Sequence, residues 1–186
     1  MKRELTAALC IFCLLACPAF AAEDREDESG MTFDFDMRGG VGGSYKMTGG
    51  MAEWGVGVDL LALLRFTFGE AGQSIMPEFG YSASIHAEGD GVVDHYFVGG
   101  VGYGYYSDKF AAGIVPSLVV GRTQGFHHGI DDGYGYRTTL FIEAPRWFGL
   151  QVHHQIVLFG GEMVNEFCIS GSLNLEIVVI PLLFLR

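Results

Sequence analysis

From residue 32 onward apolar and polar side chains alternate with a period of two, which predicts strands rather than helices. Thr32 to Gly42 sets Phe33, Phe35, Met37 and Val41 against Asp34, Asp36 and Arg38. Glu53 to Phe68 puts Trp54, Val56, Val58, Leu60, Ala62, Leu64, Phe66 and Phe68 on one face. Asp59, Arg65 and Thr67 lie opposite, with Leu61 and Leu63 between them. Ile75 to Glu88 opposes Phe79, Tyr81 and Ile85 to Glu78, His86 and Glu88. Asp94 to Tyr106, Lys109 to Arg122, Gly133 to Glu143, Trp147 to Leu158 and Val164 to Ile180 continue the pattern. Arg137, Glu143, His153, Glu166 and Glu176 fall on their polar side. Pro116 weakens the fifth segment, because proline cannot donate to a ladder. The pattern predicts eight strands of roughly 10 to 17 residues. An ordinary strand has about 5–6, and roughly 9–11 cross a bilayer at a tilt.

The choice of solvent follows from the two faces. In a soluble barrel the apolar face is the core; in a membrane barrel it meets lipid and the polar face lines the lumen. Here the polar face is rich in Gly, Ala and Ser and carries charges of both signs. That composition suits the crowded interior of a narrow eight-stranded barrel, whereas Gly on a solvated face costs strand stability. Trp54, Tyr103, Tyr105, Tyr134, Tyr136 and Trp147 fall near segment ends, as in an interfacial aromatic belt. With the N-terminus in the periplasm, the outer connections are expected at Gly43–Ala52, Gly89–Val93, Thr123–Asp132 and Phe159–Met163. The inner ones are expected at Gly69–Ser74, Ser107–Asp108 and Ala144–Arg146. The inner set is the shorter, as periplasmic turns are.

Composition narrows the class. Hydrophobic residues make up 49% and charged residues 18% of 186, which excludes a disordered chain. Mean hydropathy is +0.29, yet beyond residue 22 no apolar run is long enough for a transmembrane helix. The net charge of −11, without a basic cluster, argues against nucleic acid, whose affinity comes largely from phosphate neutralisation. Gly is abundant, 28 residues, but has no collagen period.

The first residues read as an export signal. Met1-Lys2-Arg3 is a basic start, Leu5 to Ala16 is apolar, and Ala19-Phe20-Ala21 is a small-residue cleavage site. The signal is therefore 1–21, followed by an acidic, unpacked lead-in over 22–31 (Glu23 to Gly30 is EDREDESG) and a barrel domain over 32–186. Leu14-Leu15-Ala16-Cys17 offers a competing lipoprotein-type site at Cys17. Cleavage after Ala21 removes Cys10, Cys13 and Cys17 and leaves Cys168, so the fold must hold without an intrachain disulfide.

With its signal, eight alternating segments and aromatic ends, residues 32–184 resemble the small eight-stranded outer-membrane barrels of Gram-negative bacteria, the OmpA/OmpX-type class. The resemblance rests on pattern, not on a motif. It implies an all-β, antiparallel, up-and-down transmembrane barrel of monomeric habit in the outer membrane. Its expected partners are membrane lipid, lipopolysaccharide and the barrel-assembly machinery, with no cofactor. Such barrels usually end in an aromatic residue; here the chain ends Phe184-Leu185-Arg186, so Phe184 would serve from two residues inside.

Two groups of residues carry chemistry. Asp34, Asp36, Arg38, Asp59, Arg65, Glu78, His86, Glu88, Arg137, Glu143, His153, Glu166 and Glu176 share the inward parity. Charges enclosed there must pair or be hydrated, so a salt-bridge network plugging the barrel is the first reading. A narrow channel is the second, and its eight acids against three arginines would favour cations. His127, His128, Asp131 and Asp132 lie in the ten-residue outer loop expected at Thr123–Asp132 and have donor types that suit a transition metal, but their spacing matches no established motif. His154 points to the lipid side, costly unless near an interface. The outer-wall His-x-Ser of lipid A deacylases is missing, because Gln155-Ile156 follows. The glycines from Gly99 to Gly104 precede no helix pattern, so dinucleotide binding fails its required context. The leading reading is a structural or surface-interacting outer-membrane barrel acting through its loops. The alternatives are a cation-favouring channel, a lipid-modifying enzyme and a secreted lipocalin-like barrel.

Overall fold

The computed structural model describes residues 31–68, 72–86, 92–107, 109–124, 130–144 and 148–175. They form eight antiparallel strands, β1 (Met31–Thr48), β2 (Met51–Phe68), β3 (Gln73–His86), β4 (Val92–Tyr106), β5 (Ala111–Gln124), β6 (Ile130–Glu143), β7 (Phe148–Phe159) and β8 (Glu162–Asn174). Each pairs with its neighbour in sequence, and β8 closes on β1. Following paired positions around the wall gives Arg38, Leu61, Gly80, Val98, Val119, Gly135, Val157 and Val164. Val164 then pairs with Thr48, ten residues beyond Arg38 on β1. That stagger tilts the strands by roughly 40° and leaves an interior that side chains can fill.

One end of the barrel, the hairpin end, carries the β1–β2, β3–β4, β5–β6 and β7–β8 connections. The other, the terminal end, carries the remaining three connections and the first and last strand residues. The hairpin end differs from the sequence reading. The ten-residue connection expected at Gly43–Ala52 is strand, and β1 turns into β2 through Gly49 and Gly50 alone. Gly160–Gly161 likewise replaces Phe159–Met163. Both pairs have positive φ, 56° and 87° then 55° and 95°, as a tight two-residue hairpin of matching twist requires. Strand pairing also runs to Gln124 and resumes at Ile130, shortening the expected Thr123–Asp132 loop. Between strand bounds, two hairpin-end connections hold two residues and two hold five, against four in each connection of the terminal end, where β3 starts at Gln73, β5 at Ala111 and β7 at Phe148. The first strand begins at Met31 rather than Thr32. The last described strand ends at Asn174; the expected continuation to Ile180, the signal peptide, Glu88, Trp147, Glu176 and Phe184 lie outside the described residues.

Pro116 stays within β5. The β4–β5 ladder lapses between Gly100↔Ser117 and Tyr103↔Ile114, and β5 pairs without a break with β6, Pro116 opposite Thr138. Pro77 lapses the β2–β3 ladder in the same way, between Leu63↔Glu78 and Phe66↔Ile75. One missing donor costs one stretch of one ladder, and the closed sheet holds the strand from the other side.

The apolar face is outside. Leu118 is 74% exposed, and Val101, Val120, Leu140, Ile142 and Ile169 share its outward side. The inside differs from the small-and-polar surface that composition suggested. Tyr96, Val98, Val119, Val157, Phe159 and Val164 form an apolar cluster in the lumen toward the hairpin end. Leu63, Met76, Ala111, Val115 and Phe141, with Tyr106 against them, form another toward the terminal end. These residues stand at the parity of the lumen glycines, and the glycines leave the room they fill.

Candidate functional site

The lumen holds three tiers of charge. At the terminal end Arg65 binds Asp34 Oδ2 through Nη1 at 3.2 Å and is paired with Asp36 through Nη2. Arg38 donates from Nε to Glu143 Oε1 at 2.7 Å, and its Nη2 lies 4.0 Å from Asp36. Asn174 donates to Asp36 at 3.3 Å. Both guanidiniums also stack on inward aromatic rings, Arg38 at 4.5 Å from the Phe141 centroid and Arg65 at 4.0 Å from that of Tyr106. Such contacts gain strength where water is displaced.

In the middle tier Arg137 reaches across the barrel from β6 to Asp59 on β2. Nη1 and Nη2 both lie 3.2 Å from Oδ1. Gln151 donates to the other carboxylate oxygen at 3.2 Å, and Arg137 Nε donates to Thr139 at 3.1 Å. Glu78 and His153 are buried on the same inward face. Neither Glu78 oxygen has a hydrogen-bond partner among the described residues.

The third tier, toward the hairpin end, contains residues that sequence reasoning left out. Lys46 donates to Asp94 Oδ2 at 2.6 Å. His86 lies between Asp94 and Glu166, 3.9 Å from each, and is hydrogen-bonded to Ser44 at 3.1 Å. Glu166 Oε2 accepts from Tyr96 at 3.0 Å and from Gln155 at 2.7 Å. Lys46 falls within the connection expected at Gly43–Ala52, yet it stands in β1. Its signal was parity, since it stands eight residues beyond Arg38. Asp94 shares the parity of Val98 and Gly100 and was legible in the same way.

The structure thus brings Asp34, Asp36, Arg38, Asp59, Arg65, Glu78, His86, Arg137, Glu143, His153 and Glu166 onto one inward surface. Cys168 is buried there too, across from His153. Most of these charged groups meet a partner of opposite charge inside the barrel, and the two apolar clusters lie toward its two ends.

The outward polar residues are fewer. His154 is exposed, directly across from Thr138, which donates to the Tyr136 hydroxyl at 2.7 Å. Nearer the hairpin end His95, Arg122 and Asp132 form one cross-strand row. Tyr81 is hydrogen-bonded to His95, and Arg122 holds Asp132 through Nε at 2.7 Å and Nη2 at 3.3 Å. His127 and His128 lie outside the described residues. Asp131 and Asp132 are adjacent strand positions on opposite faces, and both oxygens of Asp132 are engaged by Arg122. Among the described residues no three metal-type side chains converge.

Neither a family model nor a curated protein matches this sequence. Solved structures do resemble it. Neisserial surface protein A (NspA) aligns over 77% of this chain and 99% of its own, with 8% identity and a TM-score of 0.53. Ail, the attachment invasion locus protein of Yersinia pestis, covers 78% and 98% with 11% identity and a TM-score of 0.44. Likeness at such identity is one of architecture, and the architecture is the closed, antiparallel, up-and-down eight-stranded barrel of the small outer-membrane proteins.

Proposed function

We propose that this chain is a monomeric outer-membrane barrel with a closed, structural lumen, whose surface role is carried by the hairpin-end rim. The observation that carries this reading is the inversion of polarity: Leu118 is 74% exposed on the wall while Arg137 is 0% exposed inside it. A soluble barrel places these residues the other way round, so the lipocalin-like alternative has no support here. The two aromatic zones fit the same reading. Tyr45, Trp54, Tyr134 and Tyr136 ring the wall toward the hairpin end, and Tyr103, Tyr105, Phe110 and Phe148 ring it toward the terminal end. Such belts sit at the two membrane interfaces.

The surface role shifts from loops to strands. Because β1–β2 and β7–β8 turn through two residues each, a partner reaching that side of the rim meets strand ends and side chains such as Met47, Met51, Trp54 and Met163. Lipid and lipopolysaccharide are the expected neighbours of the wall, and the assembly machinery its route into the membrane. Filled tiers of paired charge favour a plug over the channel.

The test is fractionation of expressing cells, then electrophoresis of the outer-membrane fraction with and without boiling. Recovery there, with a heat-dependent change in mobility, is the expected result. A soluble periplasmic protein with no mobility change would overturn the proposal.

A further inference from the structure

We infer that the outer wall carries a discrete site for one anionic phospholipid at the terminal end. The inference rests on the lipid-facing reading of the wall proposed above. A barrel wall is convex, so lipid packs against most of it without preference. Between the start of β5 and the facing ends of β6 and β7, however, lies an open groove of ≈ 470 Å³. Phe110, Ile142, Phe148 and Leu150 line it, with Lys109 and Glu143 at its margin. The apolar four are exposed despite being bulky, Phe148 by 64%. The size lies within the range of small-molecule sites, and its apolar lining suits an acyl chain.

Charge decides the head group. Of the described cations, Arg38, Lys46, Arg65 and Arg137 are buried in the lumen. Arg122 is bound to Asp132 near the hairpin end. Lys109 is the described cation on the outside of the terminal end, and it is exposed. It has no ion pair among the described residues: the nearest carboxylate along the groove, Glu143, is turned inward and bound to Arg38 at 2.7 Å. An exposed ammonium without an ion pair among the described residues thus stands where the apolar groove meets the girdle formed by Tyr105 and Phe110, whose rings lie 5.2 Å apart. That is the level of lipid phosphates. The groove takes one acyl chain, and Lys109 takes the phosphate of an anionic head group from the leaflet at this end.

The experiment uses the purified full chain in a nonionic detergent, titrated with dioleoyl-phosphatidylglycerol or dioleoyl-phosphatidylcholine. Native mass spectrometry counts the lipids retained. One phosphatidylglycerol per barrel is expected at concentrations where phosphatidylcholine is not held. Lys109→Gln should weaken that retention about fivefold, the worth of one lysine at an anionic surface. Leu150→Trp, which fills the groove and leaves Lys109 in place, should also reduce retention of phosphatidylglycerol. Equal retention of the two lipids by the native chain, or native retention by either variant, overturns the site and leaves only annular lipid. Heat-dependent mobility is read on the same samples. A chain that still shifts on heating yet shows no lipid preference refutes the groove alone, and one that shows no shift refutes the membrane reading beneath it.

Discussion

Arg137 and Asp59 stand on strands that are not neighbours, β6 and β2, and meet across the lumen with both terminal guanidinium nitrogens 3.2 Å from one carboxylate oxygen. Neither side chain reaches solvent. A pair this deep is held against a large desolvation cost, which its attraction offsets only when the remaining donors and acceptors are satisfied. Gln151 and Thr139 supply those contacts. The pair therefore acts as a cross-brace that fixes the barrel's cross-section.

Removing one member should expose that cost. Arg137→Leu leaves Asp59 buried without its cation and is expected to destabilise the barrel by about 3–5 kcal/mol. Removing both charges together, Arg137→Leu with Asp59→Leu, should cost clearly less than the sum of the single changes, because no orphaned charge remains. Urea unfolding in lipid vesicles measures both. Additive losses would mean that the two residues are not a unit.

On the wall, Leu140 is 53% exposed between the two aromatic zones. In water an exposed Leu→Arg change stays within about 0.5 kcal/mol. In lipid the same change near the midplane costs about 2–4 kcal/mol. Leu140→Arg is expected to show the larger loss in vesicle-based unfolding, and a neutral outcome would place the wall in water.

The arrangement of faces was legible because a strand's period is two and does not depend on its partners. Parity alone puts Asp34, Arg65, Arg137 and Glu166 on one surface. What stayed hidden was set by pairing. Gly42-Gly43-Ser44 has the composition of a turn, yet β2 and β8 flank it on both sides through Gly57, Val56, Ser170 and Ile169, and two ladders outweigh weak local propensity. Lys46 was lost with it. The inward apolar clusters were hidden for a related reason. Tyr96, Phe141 and Phe159 occupy space left by glycines on other strands, a relation between distant residues that periodicity along one segment does not contain.

Those glycines give a further prediction. A Cβ on Gly121 would stand 2.7 Å from the Tyr96 ring and 3.0 Å from that of Phe159. Gly99, outward on the neighbouring strand, would meet nothing within 4 Å. Gly121→Ala should therefore cost about 1–3 kcal/mol through overpacking, whereas Gly99→Ala should be neutral or slightly stabilising. Matched unfolding curves of the two variants distinguish packing from intrinsic strand propensity, which would move both the same way.

An ion entering from the hairpin end meets Lys46 bound to Asp94 and then the Tyr96–Glu166–Gln155 contacts. Farther in, it meets Asp59 and Arg137 spanning the lumen. Passing requires parting buried pairs, each strengthened by the low local dielectric. The native chain is therefore expected to show no stepwise current in planar bilayers. Lys46→Ala with Arg137→Ala removes two large cationic side chains and leaves Asp59, Glu78, Asp94 and Glu166 facing the vacated space. Any leak through that variant should be cation-selective, since a ring of carboxylates admits the opposite charge. The reversal potential in a potassium chloride gradient reads that sign directly. Steps from the native chain would show that the tiers part readily, and an anion-selective leak would show that the path runs outside them.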